Sequence, residues 1–472
     1  MKTILESARR VPVVGDYDVV VAGGGPAGVA SAVAAGRKGA KTLLIEQTGC
    51  LGGMGTSGLV PCFCPYSNTN EPLFQGIALE VLDRLKAADG VGNDKDTIHW
   101  VTIDSEKLKL VYDQMVAEAA RVEVRFMTAL VGAAAGKGRV VAAIIESKAG
   151  RQAVTAKTFI DATGDADLAF HAGAAFEKGD EHGDVQAVTL CFTVAGVDTA
   201  TYWAHYKKRF GMNRPMNAWM QTFLGTPGAP GLPRIRGTEY RIIAQKQLYA
   251  DVLGYNFGHV FGIDGLDPRQ VSQALVKGRQ LAHNFVSFAK AKIPGMKDAQ
   301  LVTTAALLGV RETRRIVGRS RLVIDDYMTA RHFPDEIAIC AYPVDIHLPR
   351  PSRPSDSVNK LYFTRLMPGQ SFGIPFGCMI PARLHNLVAA GRCISADRPM
   401  QGSTRVMPAC LVMGQAAGTA AALAARQKTA VDSVDIALLR KTLNKDGANL
   451  PPLDKLAAPA GPVTFVATPK AD

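Results

Sequence analysis

The pattern of apolar and polar residues is most informative near the start of the chain. Residues 17–22 (Tyr-Asp-Val-Val-Val-Ala) form a nearly continuous apolar run, which is typical of a strand in a parallel sheet that is covered on both faces. An alanine-rich segment from about Pro26 to Lys38 predicts a helix that ends at Gly39, and residues 41–46 predict a second strand. The pattern therefore predicts a strand–helix–strand unit.

Glycines mark the turn between the first strand and the helix. Gly23, Gly25 and Gly28 form a G-x-G-x-x-G motif. In such a motif the first glycine permits the tight turn, the second lets the backbone approach a pyrophosphate, and the third lets the helix pack close to the strand. The helix N-terminus supplies free N–H groups to the phosphates, and Glu46, at the end of the second strand, is placed to accept hydrogen bonds from ribose hydroxyls. The other contacts predicted in this segment are Pro26, Ala27 and Gln47.

A second G-x-G-x-x-G match occurs at Gly53, Gly55 and Gly58. It does not directly follow a strand, and the residues after it do not form a helical pattern, so we do not interpret it as a second nucleotide site. We interpret residues 49–58 as a glycine-rich loop that passes beside a flat ring system. The contacts predicted in this loop are Gly52, Gly53 and Met54.

Later segments favour FAD over NAD as the dinucleotide. Residues 157–165 predict a strand that ends in Ala-Thr-Gly-Asp, and residues 386–392 predict a strand that ends in Gly-Arg. An Ala/Gly-rich helix follows within residues 407–425, and its N-terminus can face the flavin edge where negative charge develops on reduction. Its small residues also suit close packing. The predicted contacts are Leu130, near the adenine, with Thr163, Gly164, Asp165, Gly391, Arg392 and Gln415.

These motifs resemble the FAD-dependent oxidoreductase family of the glutathione-reductase-like flavoprotein class, which is related to the flavin subunit of heterodisulfide reductase. The matching stretches are residues 17–60, 159–174, 307–318, 342–347 and 380–425. The resemblance implies an enzyme with FAD as its cofactor. Relatives that pass electrons to iron–sulfur centres carry cysteine clusters, which this chain lacks, so we expect a diffusible electron acceptor.

The expected fold class is α/β. We predict a Rossmann-like FAD-binding domain, built from a parallel sheet and a β-meander over residues 122–145, with an inserted α+β substrate domain. The FAD-binding domain spans residues 16–165 and returns at 385–428, the substrate or cap domain spans 166–384, and a C-terminal tail spans 429–472. A Pro/Gly-rich loop at 225–233 is a candidate lid or connector.

Composition narrows the range of partners. The 54 Lys and Arg residues exceed the 42 Asp and Glu residues, which gives a formal net charge of +12. The basic residues are scattered and form no run of five, so we expect no nucleic-acid partner and instead an anionic small-molecule substrate. No run of about 18 apolar residues indicates a membrane span, and no signal-peptide core precedes the first strand, so we expect a cytoplasmic protein. The sequence leaves the oligomeric state open.

The eight cysteines form no C-x-x-C pair. This spacing argues against a dithiol redox centre and against an ordinary zinc site, so we predict no metal. Cys62 and Cys64 are separated by one residue, and we interpret them as reduced thiols in a protein interior.

Three residues are candidates for contact with the substrate. Arg311 and Arg315 lie four apart in a predicted helix, where one arginine can hold a carboxylate or both can belong to an ion-pair network between domains. Asp345 and His347 share one face of a predicted extended segment, so His347 is a candidate general acid or base, or else a buried structural histidine. Arg405, before the flavin-facing helix, can reach the flavin or an anionic substrate.

The function we expect is FAD-dependent removal of a hydride from a C–H bond next to oxygen or nitrogen of a small organic substrate, by a dehydrogenase or oxidase. Alternatives are a flavin-dependent reductase of an activated double bond, a monooxygenase, and an electron-transfer flavoprotein subunit. The long insert speaks against the last of these, since a bare electron carrier needs no cover over its flavin.

Overall fold

The structure is a computed structural model that describes residues 4, 8–92, 99–210, 242–350 and 365–452. The Pro/Gly-rich loop predicted at residues 225–233 lies outside the described residues, as do residues 453–472 of the predicted tail.

Seventeen strands and ten helices are defined within the described residues. The strands are β1 (Val13–Ala22), β2 (Thr42–Ile45), β3 (Cys62–Phe63), β4 (Val101–Thr102), β5 (Val122–Arg125), β6 (Ala129–Gly136), β7 (Arg139–Ser147), β8 (Gly150–Asp161), β9 (Phe176–Lys178), β10 (Phe192–Ala195), β11 (Ile242–Tyr249), β12 (Val252–Phe257), β13 (Gln300–Thr304), β14 (Arg314–Ile316), β15 (Glu336–Cys340), β16 (Phe372–Pro375) and β17 (Leu387–Ala389). The helices are α1 (Pro26–Arg37), α2 (Ile77–Ala87), α3 (Ser105–Glu118), α4 (Asp167–His171), α5 (Thr199–Phe210), α6 (Pro268–Lys292), α7 (Ile324–Met328), α8 (Arg398–Thr404), α9 (Met407–Gln427) and α10 (Ile436–Lys445).

The largest sheet has the strand order β5–β2–β1–β8–β7–β6, and β17 pairs with the end of β8. Val20 of β1 is in register with Leu43 of β2 and with Phe159 of β8, and both pairings are parallel. Val388 of β17 lies opposite Ile160, also in parallel. Strands β6, β7 and β8 form an antiparallel meander. The predicted α/β, Rossmann-like fold with a parallel sheet and a meander is therefore confirmed.

The meander begins later than the sequence predicted. Residues 122–125 were expected to belong to it, but they form β5, which pairs in parallel with β2 through Leu44 and Val124. The meander itself starts at Ala129. A half-buried strand has the same alternation of apolar and polar residues whether it pairs with a parallel strand or within an antiparallel meander. The sequence pattern alone could therefore not identify the neighbouring strand.

Helices α1 and α9 pack against each other at close range. A Cβ atom on Gly414 would lie 2.2 Å from the carbonyl oxygen of Ala27, and one on Gly418 would lie 2.1 Å from that of Ser31. By length and composition, α9 alone among the described helices is long and apolar enough to cross a membrane (mean hydropathy 1.3), but 89% of that window is buried inside the protein. Its small, apolar residues therefore serve as a core surface.

A second, antiparallel sheet has the order β11–β12–β10–β13 and lies within the predicted substrate domain. Helix α6 packs on it, and the core between them contains Phe192, Tyr255 and Phe285. Helix α10 lies in the predicted tail, and its N-cap Asp435 accepts a hydrogen bond from the backbone N–H of Leu438. The numerical boundaries of the domains stay a prediction.

The helix predicted around Arg311 and Arg315 is wrong. Residues 314–316 form β14, which pairs antiparallel with β9, placing Arg315 opposite Glu177. The charge spacing fits a helix equally well, but pairing with a distant strand decides the local structure. The two arginines therefore do not share a helix face.

Candidate active site

A cavity of about 440 Å³ lies at the carboxyl ends of the parallel strands. One part is lined by the glycine-rich turn after β1 and by the residues after β2. Another part is lined by residues of the antiparallel region, including Thr189, Cys191 and Asn256. This edge of an open α/β sheet is where such folds bind ligands, and the two linings together form one site.

The turn after β1 has the geometry of a phosphate site. Gly23 has a φ of +97°, which favours glycine, and a Cβ on Gly28 would lie 1.7 Å from the carbonyl oxygen of Gly23. Gly28 therefore serves packing and is not part of the cavity lining. A Cβ on Gly25 would meet nothing within 4 Å, because it would project into the cavity. No side chain caps the N-terminus of α1, so its first N–H groups are left for a phosphate.

Glu46 lies at the end of β2 and lines the cavity together with Gln47 and Leu130. Its two carboxylate oxygens accept hydrogen bonds from the backbone N–H groups of Gly24 and Thr48, each at 2.7 Å. Each oxygen keeps a further lone pair, so the carboxylate is fixed in position while still able to accept a ribose hydroxyl.

Arg392 joins the end of β17 to the Ala-Thr-Gly-Asp segment. Its guanidinium donates to the carbonyl oxygen of Gly164 at 2.8 Å, to Asp165 Oδ1 at 2.6 Å, and to the carbonyl oxygen of Val310. Gly391 has a φ of +95°. Thr163, Gly164, Asp165, Gly391 and Arg392 all line the cavity. The arginine thus holds the two segments together beside the phosphate turn.

The other end of the cavity carries a cluster of charged and aromatic side chains. Tyr342 donates its hydroxyl to Asp345 Oδ2 at 3.2 Å. Arg405 donates to the carbonyl oxygen of Asp345 at 3.0 Å, and its guanidinium lies 3.5 Å from Oδ2. Arg311 donates to Thr189 Oγ1 at 2.9 Å and to the carbonyl oxygen of Ala187. The Asp345 carboxylate therefore lies beside the Arg405 guanidinium, and the charge of Arg311 also acts on it.

His347 completes this cluster. Its Nε2 lies 3.4 Å from Asp345 Oδ1, and its Nδ1 lies 2.8 Å from Nε2 of His259. The residues around Asp345 form no regular strand, yet the two side chains face each other as the sequence predicted. Burial, with the neighbouring Arg311, lowers the pKa of His347 to about 3. Burial alone would raise the pKa of Asp345, but its contact with His347 and the charges of Arg405 and Arg311 hold it well below its ordinary value. At neutral pH the pair is therefore a carboxylate and a neutral imidazole.

A family model described as FAD dependent oxidoreductase matches residues 18–443. The chain belongs to this family. The phosphate turn, the fixed Glu46 carboxylate and the open cavity beside Gly25 fit FAD, which is the cofactor of this FAD-dependent oxidoreductase.

No curated protein is similar enough in sequence to match this FAD-dependent oxidoreductase. Similar solved structures include a geranylgeranyl bacteriochlorophyll reductase-like protein from Thermoplasma acidophilum, with 14% identity, coverage of 91% of this chain and 83% of that chain, and a TM-score of 0.43. They also include p-nitrophenol 4-monooxygenase from Pseudomonas putida DLL-E4, with 12% identity, coverage of 91% and 81%, and a TM-score of 0.42. A third is a flavin-dependent brominase, with 13% identity, coverage of 91% and 83%, and a TM-score of 0.44.

Besides Gly28, two residues predicted to contact the cofactor lie outside the lining of the cavity. Gln415 is in the middle of α9, where it accepts a hydrogen bond from the N–H of Ile77 at 2.8 Å. The helix begins at Met407, and the residues at its start that line the cavity are Val406, Met407 and Cys410. A Cβ on Gly52 would meet Thr56 and Tyr112 in the core. By contrast, Gly53 and Met54 line the cavity, as do Gly23, Gly25, Pro26 and Ala27.

Sequence reasoning missed several lining residues because their segments carry no recognisable motif. Trp100 lines the cavity and is 40% exposed, and its ring packs edge-on against that of Tyr342, with 5.9 Å between the centroids. Cys62, Cys64, Cys191 and Cys410 also line the cavity. Burial raises the pKa of Cys64 well above its ordinary value, so this side chain is a thiol at neutral pH. Among the described residues, no group of three or more His, Cys, Asp or Glu side chains is arranged to hold a metal.

Replacing Glu46 with alanine should weaken FAD binding by about 1–3 kcal/mol, the scale of a lost hydrogen bond to a charged group. The substitution also leaves the N–H groups of Gly24 and Thr48 without their acceptor. Titration of the apoprotein with FAD, followed by flavin fluorescence, measures the affinity. Glu46→Gln keeps one carbonyl acceptor and should lose less. Unchanged affinity in Glu46→Ala would rule out the assigned role.

The stability of the oxidoreductase should fall as the pH drops from about 6.5 towards 3. In this range unfolded His347 binds a proton, whereas folded His347 stays neutral because its pKa is about 3. The unfolded state then binds more protons, so stability rises with pH. The thermal midpoint of the holoenzyme, measured between pH 7 and pH 4, should change less in His347→Gln than in the wild type. Asp161, whose pKa burial raises to about 6, contributes equally in both proteins. Equal pH dependence would show that His347 titrates normally.

Proposed function

We propose that this enzyme removes a hydride from a C–H bond next to oxygen or nitrogen of a small anionic organic molecule, acting as a dehydrogenase or oxidase. The observation that carries the proposal is the pairing of an ionised Asp345 with a neutral His347 at the wall of the FAD cavity. A substrate hydroxyl or amine that loses hydride from its carbon must also lose a proton, and this pair is the proton acceptor.

Bound FAD supplies the acceptor for the hydride. The residues of the chain supply the rest. The Asp345 side chain is 24% exposed and that of His347 is 6% exposed, so the carboxylate is the more accessible member of the pair. It can accept the O–H or N–H of the substrate, while Tyr342 and Arg405 keep it oriented.

The charges at this end of the cavity support an anionic substrate. Arg311 and Arg405 are cations whose charges act on the Asp345 carboxylate, and His347 is neutral. The sum of these charges is positive, and a positive charge attracts an anion. A carboxylate on the substrate would balance it. The added negative charge would also raise the pKa of Asp345, which the two arginines lower in the free enzyme, and so make Asp345 a stronger base.

A second candidate is reduction of an activated double bond. Tyr342 lines the cavity, and burial raises its pKa well above the ordinary value, so its hydroxyl stays protonated. A protonated phenol near Arg405 can donate a proton to a carbanion formed by hydride delivery. In this reaction electrons pass from the flavin to the substrate, which is the reverse of the direction in a dehydrogenase or oxidase.

We also propose a flavoprotein class, an electron acceptor and a cellular location for the enzyme. The quoted motifs support membership of the glutathione-reductase-like class related to the heterodisulfide reductase flavin subunit. The lack of cysteine clusters in the sequence supports a diffusible electron acceptor, and the eight free cysteines support a cytoplasmic location. A lined cavity next to the cofactor site supports a small-molecule substrate over a role as a bare electron-transfer subunit.

Anaerobic mixing of the yellow holoenzyme with a panel of hydroxy acids, amino acids and their uncharged analogues tests the proposal. We expect a carboxylate-bearing alcohol or amine to bleach the flavin and to yield the corresponding carbonyl or imine product. The neutral analogue of the same compound is the matched control and should bleach more slowly. If no member of the panel bleaches the flavin, while the chemically reduced enzyme is reoxidised by unsaturated acids, the second candidate is correct.

A further inference from the structure

A second buried histidine lies behind His347. His259 is 4% exposed, and its Nε2 lies 2.8 Å from Nδ1 of His347. The next residue, Val260, exchanges backbone hydrogen bonds with Val188 at 2.9 and 3.0 Å. The ring of His259 stacks on Phe261 with an interplanar angle of 18°. The position of His259 is therefore fixed both by the backbone hydrogen bonds of its neighbour Val260 and by the stacking of its own ring on Phe261.

The contacts of His347 determine which of its nitrogens carries the proton. A neutral imidazole has one N–H donor and one acceptor nitrogen. Nε2 of His347 faces the ionised Asp345. The proton of the His347 ring is therefore on Nε2, where the N–H points at the carboxylate. Nδ1 must then accept, so the hydrogen bond at 2.8 Å runs from His259 Nε2–H to His347 Nδ1. Hydrogen bonds thus run in one direction, from His259 through His347 to Asp345.

We propose that His259 is a positioning residue that fixes His347 in the Nε2–H form, so that Asp345, and not His347, receives the proton of the substrate. The inference rests on the proposed function and deepens it by assigning the two roles within the pair. In this form His347 has no lone pair directed at the cavity. Its task is to orient the carboxylate.

The charged and polar groups around the pair agree with this direction. Arg311 disfavours a second proton on His347. Arg405 and Tyr342 approach Asp345 from other elements, so the carboxylate is held by donors on several sides. The main-chain N–H of His347 donates to Gln186 Oε1 at 3.0 Å, which fixes the backbone from which the ring projects.

The test uses two substitutions of His259 in the holoenzyme. His259→Gln places an amide N–H close to the position of the imidazole Nε2 and should preserve the donor. His259→Phe keeps a ring of similar size but removes the donor. His182, which is exposed, gives the matched control His182→Phe.

Nitrogen-15 NMR of histidine-labelled protein reads the protonated nitrogen of His347 directly, with the signal assigned by its loss in His347→Gln. We expect a single Nε2–H form in the wild type, in His259→Gln and in His182→Phe. In His259→Phe we expect a mixture of forms and a flavin reduction rate about 10- to 100-fold lower, with unchanged FAD content.

A single Nε2–H form in His259→Phe, or a normal flavin reduction rate in that variant, would overturn the inference. So would an Nδ1–H form in the wild type. The NMR result does not depend on turnover. If Asp345→Asn reduces its flavin at the wild-type rate, it is the proposed function that fails, and the two failures are distinguishable.

Discussion

Replacing Gly25 with valine is expected to give a folded protein that purifies colourless and does not take up FAD. The reason is specific to this position. A Cβ on Gly25 meets nothing within 4 Å, so the substitution disturbs no packing in the apoprotein. The added branches instead occupy the space where the pyrophosphate approaches the N-terminus of α1. Flavin absorbance after reconstitution with FAD measures the loss, and circular dichroism checks the fold.

The matched control is Gly136→Val. Gly136 also has open space around its Cβ position, but it lies at the end of β6 and is exposed. This variant should bind one FAD per chain like the wild type. A Gly25→Val protein that retains normal FAD content would contradict the assignment of the phosphate turn.

Replacing Asp345 with asparagine is expected to slow flavin reduction by about 10²- to 10⁴-fold, the usual effect of removing a general base. Asparagine keeps the size of the side chain and one oxygen acceptor but cannot take up the proton of the substrate. His347→Gln should also slow the reaction, because the Asp345 carboxylate loses the imidazole that orients it, although Tyr342 and Arg405 remain beside it. FAD content should stay normal in both, since neither residue is near the phosphate turn.

Anaerobic stopped-flow measurement of flavin reduction gives the rates. Because His347 has a pKa of about 3, the rate should show no transition near the ordinary imidazole pKa that can be assigned to His347. This differs from the expectation that follows from the sequence alone, in which the histidine titrates near neutral pH. Wild-type rates in both variants would show that the pair is structural.

The sequence predicted local structure best where a short segment determines that structure by itself. The turn from Gly23 to Gly28 and the acceptor at Glu46 follow from neighbouring residues, because the motif itself creates the tight turn, the helix start and the strand end. The same holds for Asp345 and His347, whose side chains meet although no strand forms. In segments of this kind, the spacing of the residues is enough to predict the local structure.

Prediction failed where distant residues decide the structure. Arg315 lies in a strand because Glu177, far away in the sequence, is its partner. Gln415 was expected at the flavin because it belongs to the correct helix, but α9 starts at Met407, and Gln415 faces α2 through Ile77. His259 is separated from His347 by 88 positions, and no motif links them. Long-range pairing and the exact start of a helix are not encoded in local periodicity.

A crystal structure of the enzyme with FAD and a small carboxylate substrate analogue tests the central claim most directly. We expect adenosine beside Glu46 and Leu130, the pyrophosphate at Gly25 and Ala27, and the flavin ring beside Gly53 and Met407. The analogue should then lie against Asp345, with its carboxylate towards Arg311 or Arg405. A flavin ring that fills the space around Asp345 and His347, or an analogue bound away from them, would contradict the account.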